Sequence, residues 1–133
     1  HSRFNLPGIQ QTERLLKAIR HPFVHMIGHP TGRLLLSREG YEVDLAAVID
    51  AAAEHRKMIE LNANPFRLDL DWRYCMRARR KGVMISINPD AHDEAGIDDI
   101  RYGVGIARKG WYEAKMVANA LPLKAFEKLI KRK

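Results

Sequence analysis

The chain has 133 residues, 29% of them charged and 46% hydrophobic, which is the balance of one globular domain, and no apolar run approaches the roughly 18 residues that a membrane span needs. Its formal net charge of +7 favours polyanionic partners, nucleic acid above all. Cys75 is the single cysteine, which excludes an intrachain disulfide and, with no signal-peptide pattern at the start, favours a reducing, cytoplasmic location.

Strands and helices are predicted to alternate along the chain. Apolar residues at helical spacing predict the first helix, which Pro22 ends. Asp44 is a good N-cap for the second helix, and Gly82 suits the end of the third. In chain order the predicted elements are helix 10–20, strand 23–27, helix 45–56, strand 58–62, a helix from Asp69 or Asp71 to Arg80, strand 83–87, helix 98–109 and helix 123–130.

This order is typical of an α/β protein in which right-handed βαβ units build a parallel sheet. A polar loop follows each predicted strand, with His29 after the first, Asn62 after the second and Asp90 after the third. The steps between them are close to one βα unit. Because the carboxyl ends of parallel strands meet at one edge, the sequence predicts a shared site there.

Asp90 and His92 are two positions apart, just after a strand. In an extended backbone, residues two apart project to the same side, so we expect a carboxylate and an imidazole to face one point. Such a pair is plausible as half of a divalent-metal site. The alternative is a local Asx-turn with a solvent-facing histidine.

The other polar loops supply further candidates with open alternatives. His29 is a metal-ligand candidate or a turn histidine that bonds to backbone, and His1 lies one repeat earlier. Asn62 and Asn64 are candidate donors to phosphate oxygens, or turn formers before a proline. Glu60 lies inside the second strand, and the sequence does not give its direction.

Arg33 and Arg67 each fall a few residues past a strand end. Arginine at such a place suits bidentate phosphate recognition. For Arg67 the alternative is an ion pair with Asp69 or Asp71. Sequence alone leaves both interpretations open.

Several segments taken together resemble the polymerase-and-histidinol-phosphatase (PHP) family, in particular the PHP domain at the C-terminus of bacterial family X DNA polymerases. The resemblance covers essentially the whole chain, and its specificity comes from the ordered set of motifs. The segments are His1-Ser2, Gly28-His29-Pro30-Thr31-Gly32-Arg33, Leu61-Asn62-Ala63-Asn64-Pro65, Asn88-Pro89-Asp90-Ala91-His92, Arg101-Tyr102-Gly103-Val104-Gly105 and Arg108-Lys109-Gly110-Trp111.

The resemblance implies part of a distorted (β/α)7 TIM-like barrel with a cluster of up to three Mn²⁺ or Zn²⁺ ions at the carboxyl ends of its strands. It implies that His1 and His29 ligate one metal, Asp90 a second and His92 a third. The phosphate groups of the substrate would be bound by Arg33, Arg67, Asn62 and Asn64. The family's remaining ligands lie upstream, so residues 1–133 are expected to be the C-terminal portion of one PHP domain whose first half is absent from this chain.

The function that the resemblance implies is metal-dependent phosphodiester hydrolysis on DNA, as the 3′–5′ exonuclease domain of a family X polymerase in DNA repair. The expected partners are DNA, the N-terminal half of the barrel and a polymerase domain in the same protein. On its own the chain is expected to be inactive. The alternatives are a phosphomonoesterase of the histidinol-phosphatase type and a non-catalytic, structural or DNA-binding module.

Overall fold

A three-stranded parallel sheet organises the chain, of which the computed structural model describes residues 3–131. Its strands are β1 (Met26–Ile27), β2 (Met58–Asn62) and β3 (Ile85–Asn88), in that spatial order. The predicted α/β class and the parallel sheet are therefore confirmed. Three strands are consistent with part of a barrel, and the TIM-like barrel itself stays a prediction.

Five α-helices and three short 3-10 helices surround the sheet in the described residues. The α-helices occur in the predicted order, and the 3-10 helices were not predicted. The α-helices are α1 (Gly8–Arg20), α2 (Leu45–Glu54), α3 (Trp72–Arg80), α4 (Ile100–Lys109) and α5 (Leu123–Ile130), and the 3-10 helices are Ala95–Asp99, Ala114–Met116 and Ala118–Ala120. No helix in the range 3–131 has the length and apolar character to cross a membrane.

The element ends follow from capping chemistry. Asp44 accepts a hydrogen bond from the backbone N–H of Ala47 at 2.9 Å, which confirms it as the cap of α2. Between the two candidates for α3, the cap is Asp71. Gly82 follows the last turn of α3 with φ +75°, a conformation that glycine adopts without strain.

Two strands are shorter than predicted because neighbouring backbone groups are used elsewhere. Val24 donates its N–H to the carbonyl of His21, so a turn takes up the start of the predicted strand 23–27. Val83 donates its N–H to the carbonyl of Ala78, so this group closes the C-terminal end of α3 and is not used for strand pairing. The pairing of β3 with β2 begins only at Ile85.

The core lies between the sheet and the helices packed against it. Ile49 of α2, Ile59 and Leu61 of β2 and Ile85 of β3 are each completely buried. Gly103 lets α4 lie against this core, since a Cβ there would be 2.5 Å from Ile87 Cγ2. The sequence predicts the same close packing for Gly103 and Gly105. The prediction is wrong for Gly105, which has open space around it.

The outer edge of β3 is covered by the segment around 117–119. Ile85 forms an isolated parallel bridge with Val117. The side chain of Asn119 then pairs with both backbone groups of Ile87, accepting from its N–H at 3.1 Å and donating to its carbonyl at 2.6 Å. One side-chain amide thus takes the place of a strand at this position.

Candidate functional site at the carboxyl edge of the sheet

The predicted shared edge is confirmed by the strand register. Asn62 ends β2 directly opposite Asn88, which ends β3, and the loop that starts at Gly28 leaves β1 on the other side of β2. His29 has φ +24°, and Asp90 has φ +55°. Both non-glycine residues thus have positive φ, which costs conformational energy and often marks a functional loop.

Glu60 is the centre of the polar network at this edge. Its Oε2 accepts the backbone N–H of His29 at 2.8 Å and lies 3.5 Å from Asn62 Nδ2, and its Oε1 accepts from Asn88 Nδ2 at 2.9 Å. One carboxylate therefore joins the ends of all three strands. The sequence alone does not give the direction of Glu60, although residues two apart on a strand share a face and Asn62 indicates which face that is.

Asp90 is held in place by two donors. Its Oδ2 accepts from Asn62 Nδ2 at 3.1 Å and from Arg67 Nε at 3.1 Å. The Arg67 side chain is 11% exposed, and that of Asp90 is 31% exposed. A charge-assisted bond to a largely buried arginine fixes the carboxylate while leaving part of it accessible.

His92 does not project to the same side as Asp90, contrary to the prediction from their spacing. The strand ends at Asn88, and the positive φ of Asp90 breaks the extended geometry on which that expectation rested. His92 is exposed, and its Nδ1 lies 2.7 Å from the backbone carbonyl oxygen of Asp90. A local turn with an outward histidine is thus what the backbone forms. His1, the other predicted ligand, lies outside the described residues.

Arg33 and Arg67 connect the loop after β1 to the loop after β2 through hydrogen bonds. Arg33 donates from Nε to the carbonyl of Arg67 at 2.8 Å and from Nη2 to the carbonyl of Leu68, and its Nη1 lies 3.7 Å from Asp71. Arg67 Nη1 donates to the carbonyl of Arg33 at 3.3 Å. The ion pair considered for Arg67 exists, but its partner is Asp90. The aspartates considered for it were the wrong ones.

Asp69 is a buried residue whose role sequence reasoning missed. Its Oδ2 accepts from the N–H of Thr31 at 2.9 Å, from the Thr31 hydroxyl at 2.8 Å and from the N–H of Gly32 at 3.1 Å. Burial raises the pKa of this carboxyl above its ordinary value, and the hydrogen bonds from Thr31 partly oppose that rise. Asp69 therefore fixes the loop that carries His29 against the loop after β2.

The two asparagines differ in what they contact. Asn64 Oδ1 accepts from the N–H of Phe66 at 2.9 Å, which is the turn-forming role. Asn62 forms the turn and also contacts the site. Its Oδ1 accepts from the N–H of Asn64 at 3.1 Å, and its Nδ2 donates to Asp90. Asn62 is 1% exposed, so it shapes the site from below.

A metal cluster of the kind implied by the resemblance fits these residues in part. The loops present a carboxylate at Asp90 and a histidine at His29, which are ordinary donors for Mn²⁺ and Zn²⁺. Within residues 3–131, however, no three histidine, cysteine, aspartate or glutamate side chains are grouped so as to hold an ion. The described residues alone therefore do not make up a coordination sphere.

Comparison with known proteins relates almost the whole chain to one relative. It is 46% identical over 132 residues to the DNA polymerase/3′-5′ exonuclease PolX of Bacillus subtilis, an alignment that covers 99% of this chain and 23% of that protein. No protein-family model matches the chain.

Shorter matches relate part of the chain to smaller proteins. It is 35% identical over 91 residues to a probable phosphatase of Caldicellulosiruptor bescii, covering 65% of this chain and 35% of that protein. It is 32% identical over 89 residues to a probable phosphatase of Caldanaerobacter subterraneus, covering 62% of this chain and 33% of that protein. The matched segments span only 23% to 35% of the length of these relatives.

Proposed function

We propose that this chain, which belongs to the PHP family and resembles the PHP domain of bacterial family X DNA polymerases, contributes the C-terminal part of a metal-dependent phosphodiesterase site that acts on DNA. The proposed reaction is 3′–5′ exonucleolytic hydrolysis in the service of DNA repair. The proposed partners are DNA, the first half of the barrel and a polymerase domain in the same protein, and the proposed location is the cytoplasm.

The observation that supports this proposal is the network at the carboxyl edge of the sheet. Glu60, Asn62, Asn88 and Asp90 join the three strand ends through five side-chain hydrogen bonds with His29 and Arg67. The buried amide of Asn62, the half-buried amide of Asn88 and an arginine hold the carboxylates in fixed positions. Such preorganisation suits a site that must hold charge in one geometry.

Metal ions, when bound, would supply a hydroxide from water and stabilise charge on the phosphorus-bound oxygens. The proposed ligands from this chain are His1, His29, Asp90 and His92, joined by donors outside it. Asp90 is presented by Asn62 and Arg67 with part of its carboxylate accessible. The positioning of His29 depends on the bond from its N–H to Glu60.

The arginines have different proposed roles. Arg33 uses all three of its guanidinium nitrogens on Arg67, Leu68 and Asp71, so it supports the loop that carries Arg67. Arg67 uses Nε and Nη1, and its Nη2 has no acceptor among residues 3–131. We propose that Nη2 binds a phosphate oxygen, while Asn62 and Asn64 keep the site in shape.

The test is degradation of a 5′-labelled oligonucleotide by the full-length protein with Mn²⁺, followed on a denaturing gel. We expect Asp90→Asn to slow the reaction by about 100-fold, since the amide keeps the size of the side chain but loses its charge. Asp98→Asn is the matched control, because Asp98 is an exposed carboxylate away from the network. Equal rates for wild type and Asp90→Asn, with no Mn²⁺ or Zn²⁺ retained, would support a non-catalytic module.

The second candidate is a phosphomonoesterase of the histidinol-phosphatase type. The observation that favours it is that several relatives are described as probable phosphatases. The same protein preparation discriminates between the two reactions. Faster turnover of p-nitrophenyl phosphate than of the oligonucleotide, with both activities lost in Asp90→Asn, would establish the phosphatase.

A further inference from the structure

A positively charged cleft lies at the opposite end of the sheet from the candidate site. Its volume is about 620 Å³, and it is formed where the loop before β1, the end of α2 and α5 come together. It is lined by Pro22, Phe23, His25, His55, Arg56, Lys57, Lys128, Leu129 and Lys131.

Among residues 3–131, every ionisable side chain that lines the cleft is basic. Glu54 and Glu127 are close in sequence, but both are exposed and neither belongs to the lining. In the part of the chain that the structure describes, Arg56, Lys128 and Lys131 take part in no ion pair. Lys57 reaches only a neutral acceptor, the carbonyl of His21, at 3.2 Å.

A second basic surface, along α3, differs in this respect. Arg77 and Lys81 both contact Asp50, at 2.9 and 3.1 Å. Arg73 contacts Asp71 at 2.8 Å. Most cations along α3 therefore contact a carboxylate of their own protein, whereas those of the cleft contact none in the described residues and keep their charge for an external anion.

The cleft also carries an aromatic ring. Phe23 is 57% exposed, and Leu129 across the cleft is 39% exposed. Cations that follow a groove, with an exposed ring beside them, are the arrangement by which proteins bind single-stranded nucleic acid, because the backbone meets the charges and a base stacks on the ring. An acidic protein segment would use the charges but not the ring.

We propose that this cleft binds the phosphodiester backbone of a single-stranded nucleic acid, with Arg56, Lys57, Lys128 and Lys131 on phosphates and Phe23 under a base. The inference rests on the proposed function in that the same polymer is the substrate, but the surface is separate. Lys57 precedes β2 and Asn62 ends it, and a five-residue strand spans about 16 Å. The cleft would therefore bind a part of the nucleic acid about 16 Å or more from the phosphodiester that the candidate site hydrolyses.

The first test is lysine footprinting on the full-length protein in EDTA, so that no cleavage occurs. The protein is acetylated with and without a saturating dT20 oligonucleotide, and each lysine is quantified by mass spectrometry. We expect Lys57, Lys128 and Lys131 to be protected at least threefold, and the exposed Lys17 of α1 to be unaffected. Inorganic phosphate at the same phosphate concentration is expected to protect none of them.

The second test is the salt dependence of oligonucleotide binding, measured by fluorescence anisotropy in EDTA. Each phosphate contact to a single strand contributes about 0.7 to the slope of log K against log salt. Arg56→Gln with Lys128→Gln should therefore lower the slope by about 1.4, which is roughly a 25-fold loss at 0.1 M salt. Lys17→Gln with Arg108→Gln removes the same charge from exposed helix positions and should change neither quantity appreciably.

Several outcomes overturn the proposal. In the footprinting test, the proposal is wrong if the cleft lysines are already unreactive in the free protein or stay reactive while the oligonucleotide is bound. It is also wrong if inorganic phosphate protects these lysines as strongly as dT20 does. In the binding test, equal salt slopes for the two double variants would overturn it. Protection by poly-glutamate as strong as that by dT20 would assign the cleft to an acidic protein segment instead. None of these results depends on the metal site, so a failure here leaves the proposed hydrolysis standing.

Discussion

Asn62 donates from its side-chain amide to the Asp90 carboxylate across 3.1 Å, which joins the ends of two neighbouring strands. Because Asn62 is 1% exposed, its removal leaves polar groups in a buried place. We expect Asn62→Ala to lower the free energy of unfolding by about 1–3 kcal/mol in urea titrations. Asn64→Ala, at a half-buried turn position, is the control and should cost less. A larger loss for Asn64→Ala would contradict this assignment.

The two glycines of α4 make a matched pair for a packing prediction. A Cβ at position 103 would lie 2.5 Å from Ile87 Cγ2 and 2.6 Å from Ala63 Cβ, whereas one at position 105 would meet nothing within 4 Å. We expect Gly103→Ala to destabilise the fold by about 1–3 kcal/mol through overpacking. Gly105→Ala should stabilise it by up to about 1 kcal/mol because helix propensity rises. Thermal unfolding followed by circular dichroism compares the two, and the same sign for both variants would refute the packing.

Removal of the Asp69 carboxylate should free the loop that carries His29. Its Oδ2 accepts three hydrogen bonds, two from Thr31 and one from Gly32. We expect Asp69→Ala to cost roughly 3 kcal/mol of unfolding free energy, at about 1 kcal/mol for each bond. Urea titration measures the loss, and Asp93→Ala, at an exposed loop position, supplies the comparison.

Asp69 also predicts a pH dependence of stability. Burial raises its folded-state pKa above the unfolded value of about 3.9. In the window between the two values the folded protein holds a proton that the unfolded chain has lost, so this contribution to stability falls as the pH rises from about 4 through the folded-state pKa. Asp69→Asn should remove that dependence. Parallel pH profiles of wild type and variant would count against the assignment.

Cys75 should be inert in the native protein. It is completely buried, and burial raises the pKa of its thiol to about 12. At pH 8 the thiolate population is then on the order of a thousandfold smaller than in the unfolded chain, where the pKa is about 8.5. Ellman's reagent should react with the thiol in guanidinium and hardly at all in buffer. Comparable rates in the two conditions would show that the site is open.

The sequence was sufficient for the elements and for the edge where the polar loops meet, since both depend on periodicity, caps and strand polarity. The detailed geometry of the site could not be predicted from these patterns. Asp90 and His92 were expected to share a direction, yet the positive φ of Asp90 is set by the surrounding loop and turns His92 outward. A backbone angle imposed by tertiary contacts leaves no mark on residue spacing.

The residues that support the site illustrate the same limit. Glu60 carries the network, and its direction follows from strand alternation once Asn62 is known to face the site. Asp69 offered no such signal, because its partners are two backbone N–H groups and one hydroxyl of a loop 37 to 38 residues away in sequence. A contact of that kind emerges only when the chain is folded.

The pairing of Asn119 with Ile87 determines the edge at which a further strand can join the sheet. A further strand beside β3 at this position would have to displace an amide that already satisfies both backbone groups of Ile87, at a cost of about 1–3 kcal/mol. In the described residues β1 has a strand neighbour on one side only. Strands contributed from elsewhere would therefore add beside β1, so the loop that carries His29 would face whatever joins the sheet.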